Sequence, residues 1–485
     1  PLFRAAVSHG RGAMEAAGWK AARAAGGARR RGRRPRWVRG LLPRRARGAL
    51  ARESGSDPAG LPHAGAGRVA DLRGANPEPQ TLRLPPEQAL GAVARLGRQV
   101  FYDRHLSASG RQSCASCHSP DHAYGPADQA SAAHGGPDLQ AMGQRAVPSL
   151  DYLYRQSPFS IGPDPAENDS QPISMSQLAE QQKGAAHTAK TAGISTATAM
   201  VPQGGLFWDG RADSLQRQAT GPLFNPIEMA NHSAAEVAAK LDHSSYRQQF
   251  VQLFGPQILQ MPASLVDEAM FAVARYQFEE HDFHRFDSKY DAWLQGKARL
   301  SAAELRGLKL FNDPSRANCA GCHISQVSPD HLPPLFTDTQ YEALSVPRNN
   351  ALPINHDASY HDLGVCGPVR KDMAGQTQYC GMFLTPTLRN TASRGVYFHN
   401  GIYHSLREVM RFYNLRSVDP GQIYPRNKDG HLQINNDIPR AYWSNIDTTD
   451  APFNRRPGQA PAMTDADIND IIAFLGTLDD GYRDR

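Results

Sequence analysis

Residues 114–118 read Cys-Ala-Ser-Cys-His and residues 319–323 read Cys-Ala-Gly-Cys-His, so the pattern C-x-x-C-H occurs twice. With 6 Cys and 18 His among 485 residues, chance would produce about 0.003 such motifs. Two thiols at this spacing add across the two vinyl groups of one haem, and the imidazole of the following His reaches the iron. The pattern therefore predicts two covalently bound haem c groups, with His118 and His323 as the proximal iron ligands.

The four thiols of these motifs have two plainer interpretations, which are a zinc site and a redox dithiol. Zinc-binding pairs usually lie about 15 to 20 residues apart, whereas these pairs begin 205 residues apart. A redox dithiol does not explain why a His follows both pairs. Haem attachment is thus the favoured interpretation for Cys114, Cys117, Cys319 and Cys322.

Two further cysteines, Cys366 and Cys380, stand outside both motifs. Haem c is attached in an oxidising compartment, where a leftover even pair is expected to form a disulfide. In the chain-entropy model, closing so short a loop stabilises the fold by about 3 kcal/mol. The alternative interpretation is a pair of buried free thiols.

The sequence around each motif is repeated, which indicates a tandem of two haem modules. LGRQVFYD at 96–103 and RGLKLFND at 306–313 lead into the motifs. Downstream, FWDGRADSLQRQATGP at 207–222 aligns without a gap on FHNGIYHSLREVMRFY at 398–413. The lead-in segments match as follows: Gly97 with Gly307, Phe101 with Phe311, and Asp103 with Asp313.

Helical periodicity and sparse strand signals predict a mostly α fold of two tandem cytochrome c-like haem domains with long loops. We expect a disordered Arg-rich tail at 1–80, an N-terminal domain at 81–290 and a C-terminal domain at 291–485. An insertion at about 155–200 interrupts the match between the two copies.

The formal net charge of +6 is concentrated at one end of the chain. Residues 1–75 hold 17 Lys and Arg against 4 Asp and Glu, a charge of +13, and the remaining residues hold 36 against 43, a charge of −7. An Arg-rich run without a hydrophobic period predicts disorder. Nucleic-acid binding is the sharper interpretation of this run, but no other feature supports it, so we expect no nucleic-acid partner. No apolar run of about 7 to 15 residues indicates a secretory signal, and none of about 18 residues indicates a membrane span.

The two copies end differently, at Pro222 and at Tyr413. Ser405-x-x-Glu408 opens a helix on whose apolar face Tyr413 falls. One interpretation makes Tyr413 a core aromatic residue. The other makes its phenolate the sixth ligand of the second haem iron, because Tyr is an attested haem ligand. Proline ligates nothing, so the first iron would keep an open face while the second is closed.

An open ferric haem beside acid and base groups can bind and split hydrogen peroxide, and the residues near Pro222 suit that chemistry. Gln218 and Glu228 flank Pro222. Glu228 is the candidate for moving a proton between the two peroxide oxygens; the alternative is an exposed loop carboxylate. Trp208 is either a plain core residue or an indole that relays charge between two haems.

Four stretches together resemble the bacterial di-haem cytochrome c peroxidase family, including its methylamine-utilisation branch, MauG. The resemblance covers roughly residues 85–480. It implies a periplasmic enzyme with a peroxide-reactive N-terminal haem, an electron-transferring C-terminal haem and Trp208 between them. It also implies that Gln218, Pro222 and Glu228 form the distal pocket of the first haem. The stretches are LGRQVFYDRHLSASGRQSCASCH at 96–118, LFWDGRADSLQRQATGPLFNPIEM at 206–229, GLKLFNDPSRANCAGCH at 307–323 and TPTLRNTASRGVYFHNGIYHSLREVMRFYN at 385–414.

Tyr413 stands where ordinary peroxidases of this family carry a Met ligand and where the MauG branch carries a Tyr, so the chain resembles that branch. An anionic oxygen lowers the iron potential, whereas a Met thioether raises it. The segment at 143–152 contains no His, although ordinary peroxidases hold a removable sixth ligand there, so the first haem is expected to be open in every redox state. The inter-haem calcium of the family would draw on the carbonyls of Arg394 and Val396, but its expected Asn falls near Tyr152.

Two functions from different classes remain open. The first is an enzyme that reduces hydrogen peroxide with electrons from a small periplasmic redox protein, or that oxidises side chains of a partner protein. The second is a non-enzymatic di-haem electron carrier with two closed haems. Pro222 favours the enzyme, since no Met or His stands in its place. The expected location is the periplasm, because haem c attachment needs an oxidising compartment.

Overall fold

The structure is a computed structural model that describes residues 73–163 and 200–483. The predictions of a disordered tail and of an insertion fall largely on residues 1–72 and 164–199, which lie outside the described residues. Helices dominate the described part. In chain order its α-helices are α1 (Ala92–Tyr102), α2 (Cys114–Cys117), α3 (Leu215–Phe224), α4 (Ala234–Asp242), α5 (Arg247–Phe254), α6 (Pro262–Glu279), α7 (Lys289–Leu294), α8 (Ala302–Phe311), α9 (Cys319–Cys322), α10 (Leu406–Leu415) and α11 (Asp465–Leu475).

The described strands are short and form antiparallel pairs only. The prediction of a mostly α fold is therefore confirmed. The second pair joins the described residues on either side of 164–199. None of the described helices is both long and apolar enough to cross a membrane. The pairs are β1 (His134–Gly135) with β2 (Ala141–Met142), β3 (Ser160–Pro163) with β4 (Met200–Gln203), and β5 (Tyr341–Glu342) with β6 (Phe383–Leu384).

Two helix crossings share one construction. Helix α1 meets α6 at Gly97, where an added Cβ would stand 1.8 Å from the carbonyl oxygen of Ala272. Helix α8 meets α11 at Gly307, where an added Cβ would stand 2.0 Å from the carbonyl oxygen of Asp470. Only a residue without a Cβ lets two backbones approach so closely. The glycines that match in sequence thus hold matching places in the fold.

One turn beyond each glycine, a buried phenylalanine packs edge-on against the partner helix. The ring centroids of Phe101 and Tyr276 are 5.5 Å apart, and those of Phe311 and Phe474 are 5.2 Å apart. Such edge-to-face pairs add to the free energy gained by burying the rings. Each crossing is therefore fixed by a glycine contact and an aromatic pair.

Two hydrophobic cores surround the crossings. The first draws on residues between 96 and 283. The second draws on Leu82 and on residues between 290 and 478. The predicted boundary near residue 290 lies between these cores, and the division into tandem domains stays a prediction.

The segment at 73–82, here called the N-terminal strap, lies against the second core. The indole Nε1 of Trp293 donates a hydrogen bond of 3.0 Å to the carbonyl oxygen of Gly74, and Leu82 is buried with the second core. Residues 73–80 fall within the predicted disordered tail, and two of them, Gly74 and Asn76, are in contact with residues some 200 positions away. Leu82 likewise packs with the C-terminal core although the sequence assigned it to the N-terminal domain.

Candidate di-haem site

Helix α2 brings the first C-x-x-C-H motif to the wall of a cavity of about 160 Å³, here called the N-terminal cavity. The residues that the sequence predicted around the first haem all line this cavity. They are Cys114, Cys117, His118, Trp208, Gln218, Pro222 and Glu228.

Helix α9 brings the second motif to a cavity of about 260 Å³, here called the C-terminal cavity. Most of its exposed wall is apolar, as expected of a site for a large flat cofactor. The residues that the sequence predicted around the second haem line it: Cys319, Cys322, His323 and Tyr413, with Trp208 on the side towards the N-terminal cavity.

Both motif histidines are held in the same orientation. Nδ1 of His118 donates to the carbonyl oxygen of Tyr124 at 2.9 Å, and Nδ1 of His323 donates to that of Phe336 at 2.8 Å. A carbonyl oxygen only accepts, so each ring carries its proton on Nδ1 and keeps the Nε2 lone pair for a metal ion. Burial lowers the pKa of both imidazoles to about 4, so both rings are neutral at physiological pH.

The donor atoms of the two cavities fit haem c. Burial raises the pKa of Cys114 and of Cys319 to about 12, so both thiols keep their protons. Across the described residues, no group of three or more His, Cys, Asp or Glu side chains is arranged to hold a metal ion. The zinc interpretation is therefore not supported, whereas two thiols and one oriented imidazole on an apolar wall suit a haem.

Tyr413 lies on α10, which begins where the Ser405 hydroxyl accepts a hydrogen bond from the Glu408 amide at 3.3 Å. Its ring stacks on Phe453 with centroids 5.4 Å apart. The side chain is half-buried and lines the C-terminal cavity. Burial raises the pKa of this phenol well above its ordinary value. The phenol is therefore neutral unless a bound metal ion takes the place of its proton.

Pro222 occupies the matching place on α3, whose first turn is capped in the same way. The Ser214 hydroxyl accepts a hydrogen bond from the Arg217 amide at 3.3 Å, as Ser405 does on α10. The proline ring then lies on the wall of the N-terminal cavity. The two copies thus present a phenol and a ring without donor atoms at equivalent positions.

Glu228 lies on the wall of the N-terminal cavity and not in an exposed loop. The amide Nδ2 of Asn225 donates to its Oε1 at 2.7 Å. Burial raises the pKa of Glu228, and the charge of Arg211 partly offsets that rise. Gln218 is buried and lines both cavities. The first cavity therefore carries, beside an amide, a carboxyl group whose pKa is raised by burial.

Trp208 lies between the two cavities, since its side chain contributes to the walls of both. Its Nε1 donates to the carbonyl oxygen of Ala146 at 2.8 Å, and the Ala146 amide donates to the carbonyl oxygen of His399 at 2.8 Å. His399 matches Trp208 in the aligned repeat and stacks on Phe383 at 3.5 Å. Ala146 is therefore hydrogen-bonded to the matching positions of both copies, through its carbonyl oxygen to Trp208 and through its amide to His399.

A buried ion network beside Trp208 was not predicted from the sequence. Arg145 bridges Asp209 at 2.7 Å and Asp362 at 2.6 Å, and Arg211 binds the other oxygen of Asp209 at 2.9 Å. Because the indole neighbours Asp209 in the chain, the network fixes the loop that carries it. The motif FWDGR contains two of these residues, but their partners stand too far along the chain for a sequence pattern to reveal.

The predicted disulfide is present, since Cys366 and Cys380 are joined. The predicted calcium site gains no such support. Tyr152 donates its hydroxyl to Asp480 at 2.7 Å, and the carbonyl oxygen of Arg394 accepts the hydroxyl of Tyr397. Calcium therefore stays a prediction, and no reaction step depends on it.

A fold of helices with two such cavities is typical of a di-haem protein of the cytochrome c class. The profile of the family described as "Di-haem cytochrome c peroxidase" matches residues 91–299. The "Methylamine utilization protein MauG" of Paracoccus denitrificans is 34% identical over 397 residues, which cover 80% of this chain and 89% of that protein. The "Cytochrome c551 peroxidase" of Nitrosomonas europaea is 29% identical over 353 residues, which cover 70% and 78%.

Among solved structures, the di-haem peroxidase BthA from Burkholderia thailandensis superposes with a TM-score of 0.68 at 34% identity, covering 84% of this chain and 92% of that one. The chain belongs to the MauG-like di-haem cytochrome c peroxidase family. It is a peroxidase-type oxidoreductase, as the sequence predicted.

Proposed function

We propose that this chain is a periplasmic di-haem enzyme of two tandem domains whose N-terminal haem reacts with hydrogen peroxide. The C-terminal haem, held by His323 and Tyr413, passes electrons. The observation that carries this proposal is the contrast at two matching wall positions, where Pro222 lines one cavity and Tyr413 lines the other. The haem supplies an iron that takes up and splits peroxide when one of its faces is free. Pro222 leaves that face free.

Glu228 moves the proton that peroxide cleavage requires. Burial raises the pKa of its carboxyl, which suits a group that takes a proton from one peroxide oxygen and gives it to the other. Asn225 binds Oε1 and leaves Oε2 for this exchange. Gln218 orients peroxide with its amide from the same wall.

Trp208 carries charge between the two haems, a role supported by its place on the walls of both cavities. Tyr413 would hold the C-terminal haem iron through its phenolate, which would lower the iron potential and favour its oxidised states. Both oxidising equivalents of one peroxide molecule can then be shared between the two sites.

The electrons come from a small periplasmic redox protein or from side chains of a partner protein that the enzyme oxidises. Tyr413 favours a partner protein, as in the MauG branch. A periplasmic location agrees with haem c attachment and with the Cys366–Cys380 disulfide, because both need an oxidising compartment.

Cyanide titration of the ferric protein tests whether the N-terminal iron keeps a free face. We expect saturation at one equivalent per chain, because cyanide binds an iron with a free face and the C-terminal iron is closed. Uptake of no cyanide would instead identify an electron carrier with two closed haems, and uptake of two equivalents would contradict ligation by Tyr413. Turnover with a reduced small cytochrome as electron donor separates the two kinds of partner. An enzyme whose substrate is a partner protein should turn over slowly with the cytochrome.

A further inference from the structure

Three tyrosines lead from the N-terminal cavity to the protein surface. Phe101 lines that cavity, and its ring centroid lies 6.3 Å from Tyr124 and 5.5 Å from Tyr276. Tyr276 in turn lies 6.5 Å from Tyr102. Tyr124 and Tyr276 are buried, whereas Tyr102 is 42% exposed. The cluster begins at the proximal histidine, because the Tyr124 carbonyl oxygen accepts the hydrogen bond from His118.

Burial and neighbouring phenols raise the pKa of the two inner tyrosines. Burial and then the charge of Tyr276 raise the pKa of Tyr124. Burial and then a hydrogen bond to Tyr102 raise the pKa of Tyr276. Burying a hydroxyl group costs free energy that a phenylalanine ring would not. The buried phenols therefore need an explanation other than packing.

In the C-terminal copy the three matching positions carry no phenol, and a phenol packed on two of them, Tyr290, lies 5.5 Å from both Phe336 and Phe474. Phe336 accepts the bond from the second motif histidine where Tyr124 does in the first copy, Phe474 stands where Tyr276 does, and Asn312 stands where Tyr102 does. The centroids of Phe311 and Phe336 are 6.0 Å apart, close to the 6.3 Å between Phe101 and Tyr124. The matching residues are Tyr124 with Phe336, Tyr276 with Phe474, and Tyr102 with Asn312. At these three matching positions, phenol rings thus occur only in the N-terminal copy, where they run from the cavity wall to the exposed Tyr102.

We propose that Tyr124, Tyr276 and Tyr102 form a chain that carries oxidising equivalents from the N-terminal cavity to the surface, where Tyr102 is a second oxidation site for phenolic donors. This proposal rests on the proposed function only for placing the peroxide reaction in that cavity.

Each event along the chain moves one electron inwards from Tyr102 through Tyr276 and Tyr124, while the Tyr102 hydroxyl releases its proton to water. A phenol at the surface then gives Tyr102 one hydrogen atom and leaves as a phenoxyl radical. Two such events supply the two electrons and two protons that turn one hydrogen peroxide into two waters.

The test adds stoichiometric hydrogen peroxide to the di-haem protein in the presence of the spin trap 2-methyl-2-nitrosopropane, maps the trapped residue by peptide mass spectrometry, and records the visible spectrum in parallel. Guaiacol oxidation is measured separately. We expect the adduct on Tyr102, its loss in Tyr276→Phe, and a fall in kcat/KM for guaiacol in Tyr102→Phe and Tyr276→Phe. Tyr442→Phe, which changes a partly exposed tyrosine outside the cluster, is the control and keeps the wild-type rate.

Phenylalanine keeps each ring in place, and the peroxide-induced spectral change reports that every variant still holds its haems. A normal spectral change with no adduct on Tyr102, or with wild-type guaiacol oxidation in Tyr102→Phe, overturns the tyrosine chain and leaves the proposed function standing. Absence of any spectral change in the wild-type protein overturns both.

Discussion

The N-terminal and C-terminal cavities are built on one frame and differ in the side chains that face the haem sites. Each has a glycine helix crossing and a motif histidine tied to a backbone carbonyl. One wall carries Pro222 and Glu228, and the other carries Tyr413. Backbone contacts therefore preserve the frame of the duplicated unit, while wall positions that make few such contacts are free to give each copy its own chemistry.

Removing one attachment motif at a time should have the largest effect and should show how the two cavities differ. Cys114→Ala with Cys117→Ala, and separately Cys319→Ala with Cys322→Ala, should each halve the covalently bound haem, because each pair of thiols holds one group. Only the first pair should abolish the spectral response to peroxide. The pyridine haemochrome assay measures the haem, and Cys366→Ala with Cys380→Ala serves as a control that keeps both groups. An unchanged peroxide response without the first motif would reverse the assignment of the two cavities.

Glu228→Gln should slow the peroxide reaction by a factor of about 10² to 10⁴, since an amide cannot relay the proton between the two oxygens. Stopped-flow absorbance after mixing with peroxide measures this rate. Glu268→Gln, which changes a carboxylate away from both cavities, should react like the wild type. Equal rates for Glu228→Gln and the wild type would show that Glu228 does not relay the proton and gives the N-terminal cavity no acid–base role.

Tyr413→Phe should give both cavities a haem iron with a free face. Under the proposed ligation, loss of the phenolic oxygen removes the sixth ligand of the C-terminal iron, so cyanide uptake should rise from one equivalent to two. The ring can still stack on Phe453, which preserves packing. Tyr403→Phe, in the loop before the same helix, should still bind one equivalent. If Tyr413→Phe also binds one, the phenol is a core residue and another group closes this iron.

Asp151 and Arg389 each follow a similar triplet, Pro-Ser-Leu at 148–150 and Pro-Thr-Leu at 386–388, and their pairing differs. Arg389 binds both oxygens of Asp291 at 2.8 and 2.9 Å. The Asp151 Oδ1 has no hydrogen-bond partner among the described residues, and burial raises its pKa to about 8. The folded state therefore holds this proton more tightly than the unfolded state does, so this contribution to stability is complete below pH 4 and is lost as the pH rises to about 8.

Asp151→Asn should remove that pH dependence and raise the free energy of unfolding at pH 8 by an amount on the order of a few kcal/mol. Urea unfolding at pH 5 and at pH 8 measures the effect. The exposed-side-chain variant Asp242→Asn provides the reference slope. A loss of stability at pH 8 in Asp151→Asn would mean that the carboxylate is ionised and stabilising.

Gly97→Ala and Gly307→Ala should each lower the free energy of unfolding by about 1 to 3 kcal/mol, because the new methyl group meets a backbone carbonyl oxygen. Thermal or urea unfolding measures both. Gly375→Ala is the control, since nothing lies within 4 Å of its added Cβ. Similar losses of unfolding free energy at the two crossings would support their structural equivalence. An unchanged free energy at one crossing would show that its helices can move apart.

Local chemistry explains which features the sequence could predict. The spacing of the C-x-x-C-H motif is set by the porphyrin, so it is readable in five residues. The helix starts at Ser214 and Ser405 depend on contacts three residues long. The repeat then placed Pro222 opposite Tyr413, because an ungapped alignment carries position from one copy to the other.

Long-range contacts produce no pattern in the local sequence. The bond from Trp208 to Ala146 spans 62 residues, and the ion pair between Arg145 and Asp362 spans 217. The N-terminal strap carries no period of its own, and its order comes from Trp293. These features depend on where the backbone returns, which a pattern within one segment does not encode.

The strap has a consequence for how the molecule can be divided. Its residues lie on the C-terminal core, while Asp480 near the other end of the chain accepts the Tyr152 hydroxyl. The first described segment and Asp480 therefore each contact the half of the described structure that lies farther along the chain from them. Cutting the gene at codon 290 would yield pieces that recover their haem pockets when produced together, by fragment complementation, and that expose bare apolar faces when produced apart.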